Sequence, residues 1–313
     1  MELDSLTSAR SIRQPITSNH DIKNAFDMIT YQKGGAVLSM FERWMGAENF
    51  RDGIRLYLQR HQGGTATSSD LLAALDQTSA SEVTPPFLSF LTQPGVPLLV
   101  SDGDTPCESG ARRVSMAQER YLPIGSTGSP EATWQIPLCI RHANGATCDL
   151  LRDARDEIEL PGCPAWWMPN DRGAGYFRFS MSRGDWTALR TKGFATLSDA
   201  GKQAVADSLY AGFAGGLLEV EDLLPWFSRF VASPLRQVAS GPMSALRFMM
   251  VEASSPQTQP KIRAYAGRLY RPRYRRLGWR AKQGESSDTK LLRGTVVEFM
   301  VMDVRDRKAR ARA

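Results

Sequence analysis

The stretch Gln93-Pro94-Gly95-Val96-Pro97 divides this chain into parts that cannot fold as one kind of structure. Two prolines and a glycine within five residues remove backbone donors and break helical geometry. The hydrophobic period also differs on either side. From Gly35 to about Leu91 apolar residues recur at three and four positions: Val37, Leu38, Phe41, Trp44 and Met45, then Phe50, Ile54, Tyr57 and Leu58. This predicts a run of helices. Within it, Thr67 and Asp70 ahead of Leu71, Leu72 and Leu75 form a capping-box start, and Gly63-Gly64 ends the helix before it. From Gly95 to about Met181 the pieces are short and alternating or β-rich: Val96 to Val100, Trp134 to Ile140 and Gly175 to Met181. A small β-sandwich is the expectation there. After Asp185 helical spacing returns, with Leu197-Ser198 opening a segment through Val205, Leu209 and Phe213. Further helices are expected from Glu221 to Ala239 and from Met243 toward Val251. The result is a helical array without a repeat of fixed period. The terminal VRDRKARARA still reads as helix and has no cap, which fits a frayed charged end or a continuing solenoid equally well.

At 313 residues the chain has room for two or three domains. No apolar run approaches the roughly 18 residues of a membrane-spanning helix. The start, MELDSLTSARSIRQPI, has no basic region followed by an apolar run and a small-residue cleavage site, so a secretory signal is not expected. The default compartment is cytoplasmic, an expectation that a leader upstream of Met1 would overturn. Oligomeric state has no signature here.

The net charge of +6 is uneven: Lys261 to Lys282 holds nine basic residues, and no acidic residue occurs between Glu252 and Glu285. A nucleic-acid face is disfavoured, because Tyr265, Tyr270 and Tyr274 lie among the arginines without a recognised binding module around them. A solvated or domain-packing face is preferred. Cys107, Cys139, Cys148 and Cys163 form no metal-binding spacing. Buried thiols are the favoured reading, with one or two disulfides as the alternative.

Chemistry is scarce in the local motifs. His20, His61 and His142 fall in no H-E-x-x-H and beside no carboxylate at a spacing suited to zinc, so each reads as a surface or loop residue. No G-x-S-x-G elbow, P-loop or G-x-G-x-x-G is present. Tyr31 stands at the mouth of an amphipathic helix. Its phenol could donate a hydrogen bond to an oxyanion, but local chemistry favours a packing residue.

The order of segments along the chain changes the weight of that choice. Phe26-Asp27-Met28-Ile29-Thr30-Tyr31-Gln32-Lys33-Gly34-Gly35 and the helix after it resemble a segment of the zinc aminopeptidases of the aminopeptidase N type, a gluzincin family. Glu48 to Leu58, Thr65 to Leu71 and Gln93 to Pro97 resemble the segments that follow it in that family. Gln118-Glu119-Arg120-Tyr121, Trp134 to Leu138, and Gly175 to Phe179 with Trp186 are similar to its β-sandwich domain. Pro272-Arg273-Tyr274, Leu277-Gly278-Trp279 and Leu291-Leu292-Arg293 are similar to its C-terminal helical array.

The resemblance implies a multidomain α+β chain. Residues 1–94 would be the C-terminal helical end of a thermolysin-like catalytic domain, 95–190 a β-sandwich, and 191–313 a partial superhelical array of HEAT or armadillo type. It implies that Tyr31 is the catalytic tyrosine, donating to the oxyanion beside a zinc ion that activates the attacking water. It also implies what this stretch lacks: the H-E-x-x-H motif, the third zinc ligand and the G-x-M-E-N strand all precede the tyrosine segment in the family. Gly46-Ala47-Glu48-Asn49 imitates that strand, but it lies after Tyr31 and leads into the spacing of Phe50 and Ile54, so a helix-to-helix turn is expected. Gln32 stands where the family more often has glutamate.

The expectation is therefore a C-terminal aminopeptidase part that binds no zinc, is inactive alone, and meets peptide substrate only together with an upstream portion. Such a part should expose apolar surface on the helices from Val37 to Leu58. A non-catalytic binding or scaffold module built on the same sandwich and array is the alternative.

Overall fold

The helical spacing ahead of Gln93 becomes α1 (Asn19–Ala25), α2 (Gly34–Met45), α3 (Ala47–Arg60), α4 (Ser68–Thr78) and α5 (Thr84–Thr92). The computed structural model describes residues 1–101, 103 and 107–313, with the backbone alone at His20, Lys23 and Asn24. The expectation for the His20 side chain lies outside these. A π-helical turn, Ile29–Lys33, runs directly into α2. Gly46, at φ 87°, turns α2 into α3 in a backbone region that side-chain-bearing residues avoid, and Glu48 and Asn49 belong to the first turn of α3. Thr67 and Asp70 form the reciprocal capping box of α4. The apolar stripe of α2 buries Val37, Met40, Phe41 and Met45, and the Phe41 ring lies 4.6 Å from Phe87 of α5.

Among the described residues eight strands follow: β1 (Pro97–Ser101), β2 (Cys107–Glu108), β3 (Ala111–Arg120), β4 (Ile136–His142), β5 (Gly145–Leu151), β6 (Arg155–Pro161), β7 (Trp167–Met168) and β8 (Arg178–Ser180). They make two sheets. In the larger, β1 runs antiparallel to the end of β3, with Pro97 opposite Arg120, and parallel to β8, with Leu98 opposite Arg178. β2 and β6 also pair with β3, Val114 facing Ile158. The smaller sheet has the order β5, β4, β7. Alternation is clean in β3, where Val114, Met116 and Gln118 are buried. Gln118 exchanges two hydrogen bonds with the Trp134 backbone just ahead of β4, which satisfies a buried amide on both sides. Two helices close this region, α6 (Arg183–Ala188) and α7 (Asp199–Ala214), the latter capped by Ser198.

Two side-chain expectations are corrected here. The cysteines are not free: Cys107 pairs with Cys163, and Cys139 with Cys148 on directly opposed positions of β4 and β5. His142 is buried rather than on the surface, its Nε2 3.2 Å from the Thr147 hydroxyl, and burial lowers its basicity. His61 is half-buried at the end of α3.

The chain divides into two compact units, Met1–Leu217 and Leu218–Ala313. The second is helical: α8 (Val220–Ala232), α9 (Arg236–Ser240), α10 (Pro242–Val251), α11 (Gln259–Leu277), α12 (Ser287–Glu298) and α13 (Arg307–Arg310). The helix expected from Glu221 to Ala239 is broken at Ser233-Pro234. Arg273 spans that break from α11, donating to the Val231 and Ser233 carbonyls. Tyr270 packs edge-on to Phe299 and donates to the Ala239 carbonyl. The terminal stretch is not one helix either. Arg305 sits at φ 57° and Asp306 caps the short α13 after it. Among the described residues no helix is long and apolar enough to cross a membrane.

Candidate functional site

Tyr31 lies on the π-helical turn between α1 and α2, and two networks fix that turn from opposite sides. On the outer side Asp27 caps it. Its carboxylate accepts from the Thr30 amide at 2.9 Å and meets the Arg10 guanidinium at 2.6 Å. Arg10 also donates to the Thr30 hydroxyl, which donates in turn to the Ala25 carbonyl. Partial burial pushes the Asp27 carboxyl up, but the Thr30 amide and Arg10 outweigh it and hold the group below the ordinary carboxylate range.

On the inner side is Lys33, two residues on, with only 1% of its surface exposed. Its ammonium has three donors and three acceptors: Asp4 Oδ2 at 2.9 Å, the Gln93 carbonyl at 3.0 Å and the Gly95 carbonyl at 3.1 Å. Asp4 is equally engaged, taking the Gly95 amide on Oδ1 and the Tyr176 hydroxyl on Oδ2. Burial pushes the Lys33 ammonium toward neutrality and Asp4 opposes the shift. Burial and the neighbouring Asp4 charge push the Tyr176 phenol far upward, so it stays a donor. The next residue, Ser5, accepts from buried Arg178, whose guanidinium stacks 4.2 Å from the Tyr121 ring centre. The start of the chain, the Gln93-Pro94-Gly95 break and the Tyr31 turn are thus joined at one buried charge pair.

Between these anchors the Tyr31 side chain is 65% exposed. Its hydroxyl has no hydrogen-bond partner among the described residues, and its ring lies 6.3 Å from that of Phe26. Gln32, Met28 and Ile29, from the same segment, line a cleft of about 510 Å³ with Leu3, Asp4 and Tyr176. The apolar surface expected on the helices from Val37 to Leu58 is present only in part: α2 spends its stripe on the core, whereas α3 leaves Phe50, Ile54 and Tyr57 half-buried and Leu58 exposed, and further large apolar side chains are exposed at Leu3, Leu6, Ile16, Ile22, Phe26 and Met28. Among the described residues half of the large exposed apolar side chains, Tyr31 included, fall in the first tenth of the chain, and of these Phe26 lies beside Tyr31 while Leu3 and Met28 line the same cleft.

The chemistry of this site is that of a donor. Tyr31 can give one hydrogen bond to an oxygen placed against the face, from a turn whose backbone is held at Asp27 and Lys33. Among the described residues no group of three or more His, Cys, Asp or Glu side chains is arranged to hold a metal ion. Of the sequence-stated residues the site contains Tyr31 and Gln32. Lys33, Asp4 and Tyr176 had no local signal as a network.

Residues 1–89 match the peptidase family M1 domain, and residues 166–313 match the ERAP1-like C-terminal domain. This chain belongs to the M1 aminopeptidase family. The M1 match covers the whole Tyr31 turn and its Asp27 and Lys33 anchors. The chain is 27% identical to the Tricorn protease-interacting factor F2 of Thermoplasma volcanium, over 95% of this chain and 36% of that protein. It is 26% identical to aminopeptidase N of Lactococcus lactis subsp. lactis, over 98% and 36%. Against glutamyl aminopeptidase of Homo sapiens it is 28% identical, over 95% and 32%. The chain thus spans about a third of the length of the curated relatives it matches.

Proposed function

We propose that this chain supplies the oxyanion-donor wall of an M1 aminopeptidase site, with Tyr31 as the catalytic donor, for the release of N-terminal residues from peptides. The observation that carries the reading is the contrast on one turn: Tyr31 is open to solvent, whereas Lys33 is locked into the core. A phenol on a pre-fixed backbone donates to a developing oxyanion with little reorganisation, a contribution worth about 10²–10³ in rate when a single such donor is removed. The apolar face around Tyr31 is then the contact surface for the metal-bearing portion that relatives carry in the rest of their length. In this reading 1–94 closes the catalytic domain, 95–190 is a β-sandwich formed by the two sheets, and 191–313 is part of a superhelical array. The paired cysteines favour an oxidising compartment over the cytoplasmic default.

The test has two arms. The purified chain alone should bind no equivalent of zinc tightly and should not cleave aminoacyl p-nitroanilides; turnover with one bound zinc would overturn the reading. Joined to an upstream polypeptide encoding H-E-x-x-H from the same genome, it should cleave them, and Tyr31→Phe should lower kcat by about 10²–10³ with KM little changed. An unchanged kcat in that variant removes Tyr31 from the mechanism.

A further inference from the structure

The second unit is the basic one. Leu218–Ala313 carries nineteen lysines and arginines against nine acidic residues, a net +10, while residues 1–217 carry twenty against twenty-four. Four of its nine acids are paired inside the unit. Asp288 pairs with Arg236, Asp303 with Arg247, Asp306 with Arg271 and Glu285 with Arg293. What these pairs leave is ordered. On α11 the buried positions Ala266, Tyr270, Arg273, Tyr274 and Leu277 define one side, and Lys261, Arg268 and Arg275 recur every seven residues on the other, all exposed.

Seven residues advance an α-helix by about 10.5 Å, so the three cations form a line about 21 Å long with a small angular drift. The exposed residues between them are Ala264 and Pro272, which do not cover the charges. No carboxylate lies within 4.0 Å of any of the three among the described residues. At this spacing water and salt screen most of the mutual repulsion, and what remains is a positive potential along the ridge that an opposed acidic surface would complement.

We infer that the Lys261, Arg268 and Arg275 ridge of α11 docks an acidic polypeptide, whose carboxylates recur at helical heptad spacing. Two other polyanions fit less well. A nucleic-acid strand would need exposed aromatic rings beside the cations, but Tyr270 and Tyr274 are buried in the unit and Tyr265 is half-buried. An anionic membrane would need apolar residues flanking the ridge, and the exposed large apolar side chains of this unit, Phe248, Val251, Leu291 and Met302, are on other segments.

The test is fluorescence anisotropy with a labelled helical peptide of about 22 residues, long enough to cover the ridge, carrying glutamate at every seventh position. A peptide of the same composition with its glutamates contiguous, oligo-dT of about 20 nucleotides and phosphatidylserine vesicles are compared with it. The heptad peptide should bind more tightly than the other three. Reversing the ridge (Lys261→Glu, Arg268→Glu, Arg275→Glu) should weaken it about tenfold or more, and the same change of charge on α13 (Arg307→Glu, Lys308→Glu, Arg310→Glu) less than about twofold. A neutral ridge set (Lys261→Gln, Arg268→Gln, Arg275→Gln), confirmed folded by circular dichroism, gives the same reading if charge reversal unfolds the unit. Equal loss in ridge and tail variants, no loss in either, or tighter binding of contiguous glutamates, oligo-dT or vesicles would overturn the proposal.

Discussion

Asp4→Asn is the perturbation that most directly probes the Tyr31 turn. It keeps size and an oxygen for the Gly95 amide but removes the charge opposing Lys33. The ammonium, 1% exposed, is then left with two carbonyls. Breaking a buried pair by removing one partner costs about 3–5 kcal/mol, because the remaining charge is uncompensated, whereas replacing both partners by apolar residues is often close to neutral. The expectation at pH 7 is therefore a loss of about 3–5 kcal/mol for Asp4→Asn, and a much smaller one for the double change Asp4→Leu with Lys33→Met.

The pH dependence identifies the cause. Burial already lowers the Lys33 pKa and Asp4 opposes that shift, so the variant lowers it further. Between a lowered folded pKa and an unfolded value of about 10.4, the unfolded state binds more protons, and stability rises with pH. The deficit of Asp4→Asn should accordingly shrink between pH 7 and about pH 9, below the range in which an ordinary phenol ionises. Urea unfolding followed by tryptophan fluorescence measures the loss, and hydrogen exchange at Ile29–Lys33, with α4 as the internal control, locates it. A loss below about 1 kcal/mol, or one that does not vary over this pH range, would refute the argument that a buried charge pair anchors the turn.

Three further outcomes are expected. As pH falls below the unfolded aspartate value of about 3.8, the protection of Ile29–Lys33 relative to intrinsic amide exchange should fall, because the lowered Asp27 carboxyl contributes stability above that value and loses it as pH falls through its folded pKa; Asp27→Asn should abolish that dependence. Arg293 of α12, buried against the end of α11, donates to the Leu277 carbonyl and pairs with Glu285, so Arg293→Met should lower the urea midpoint of the second unit, with little recovery in Arg293→Lys. Removing the Cys107–Cys163 bridge, which closes a separation of 56, should cost about 4 kcal/mol, against about 2.6 kcal/mol for Cys139–Cys148 at a separation of 9, when each pair is replaced by serine or valine and thermal unfolding is compared.

What was legible in the sequence was short in range. The Thr67 and Asp70 capping box and the Ser198 start of α7 each depend on residues within a few positions of one another, and each is present, whereas β3 lies outside the β-rich pieces expected. The break at Ser233-Pro234 was legible in principle, since proline disfavours helix in the residue before it. The contacts that make the site were not. Lys33 finds Asp4 across 29 residues and Gly95 across 62, and nothing in the local pattern marks a lysine beside two glycines as buried. The exposure expected from Val37 to Leu58 failed on α2 for the same reason, since an amphipathic stripe shows that a helix needs a partner and α5 supplies one within the chain, whereas Leu58 of α3 is exposed. Cysteine spacing was silent about pairing because strand register, not sequence distance, put Cys139 opposite Cys148.

The larger sheet offers a final consequence. β6 pairs with β3 and with no other strand among the described residues, so its far side presents unbonded backbone groups that could recruit another chain. That edge carries Arg155, Asp156, Glu157 and Glu159 and ends at Pro161, a sequence that discourages strand addition by charge and by a missing amide donor. Polymerisation through the sheet is thereby suppressed. At this edge another chain would meet charged side chains, which select by shape and charge, before it met the backbone groups that accept any extended strand.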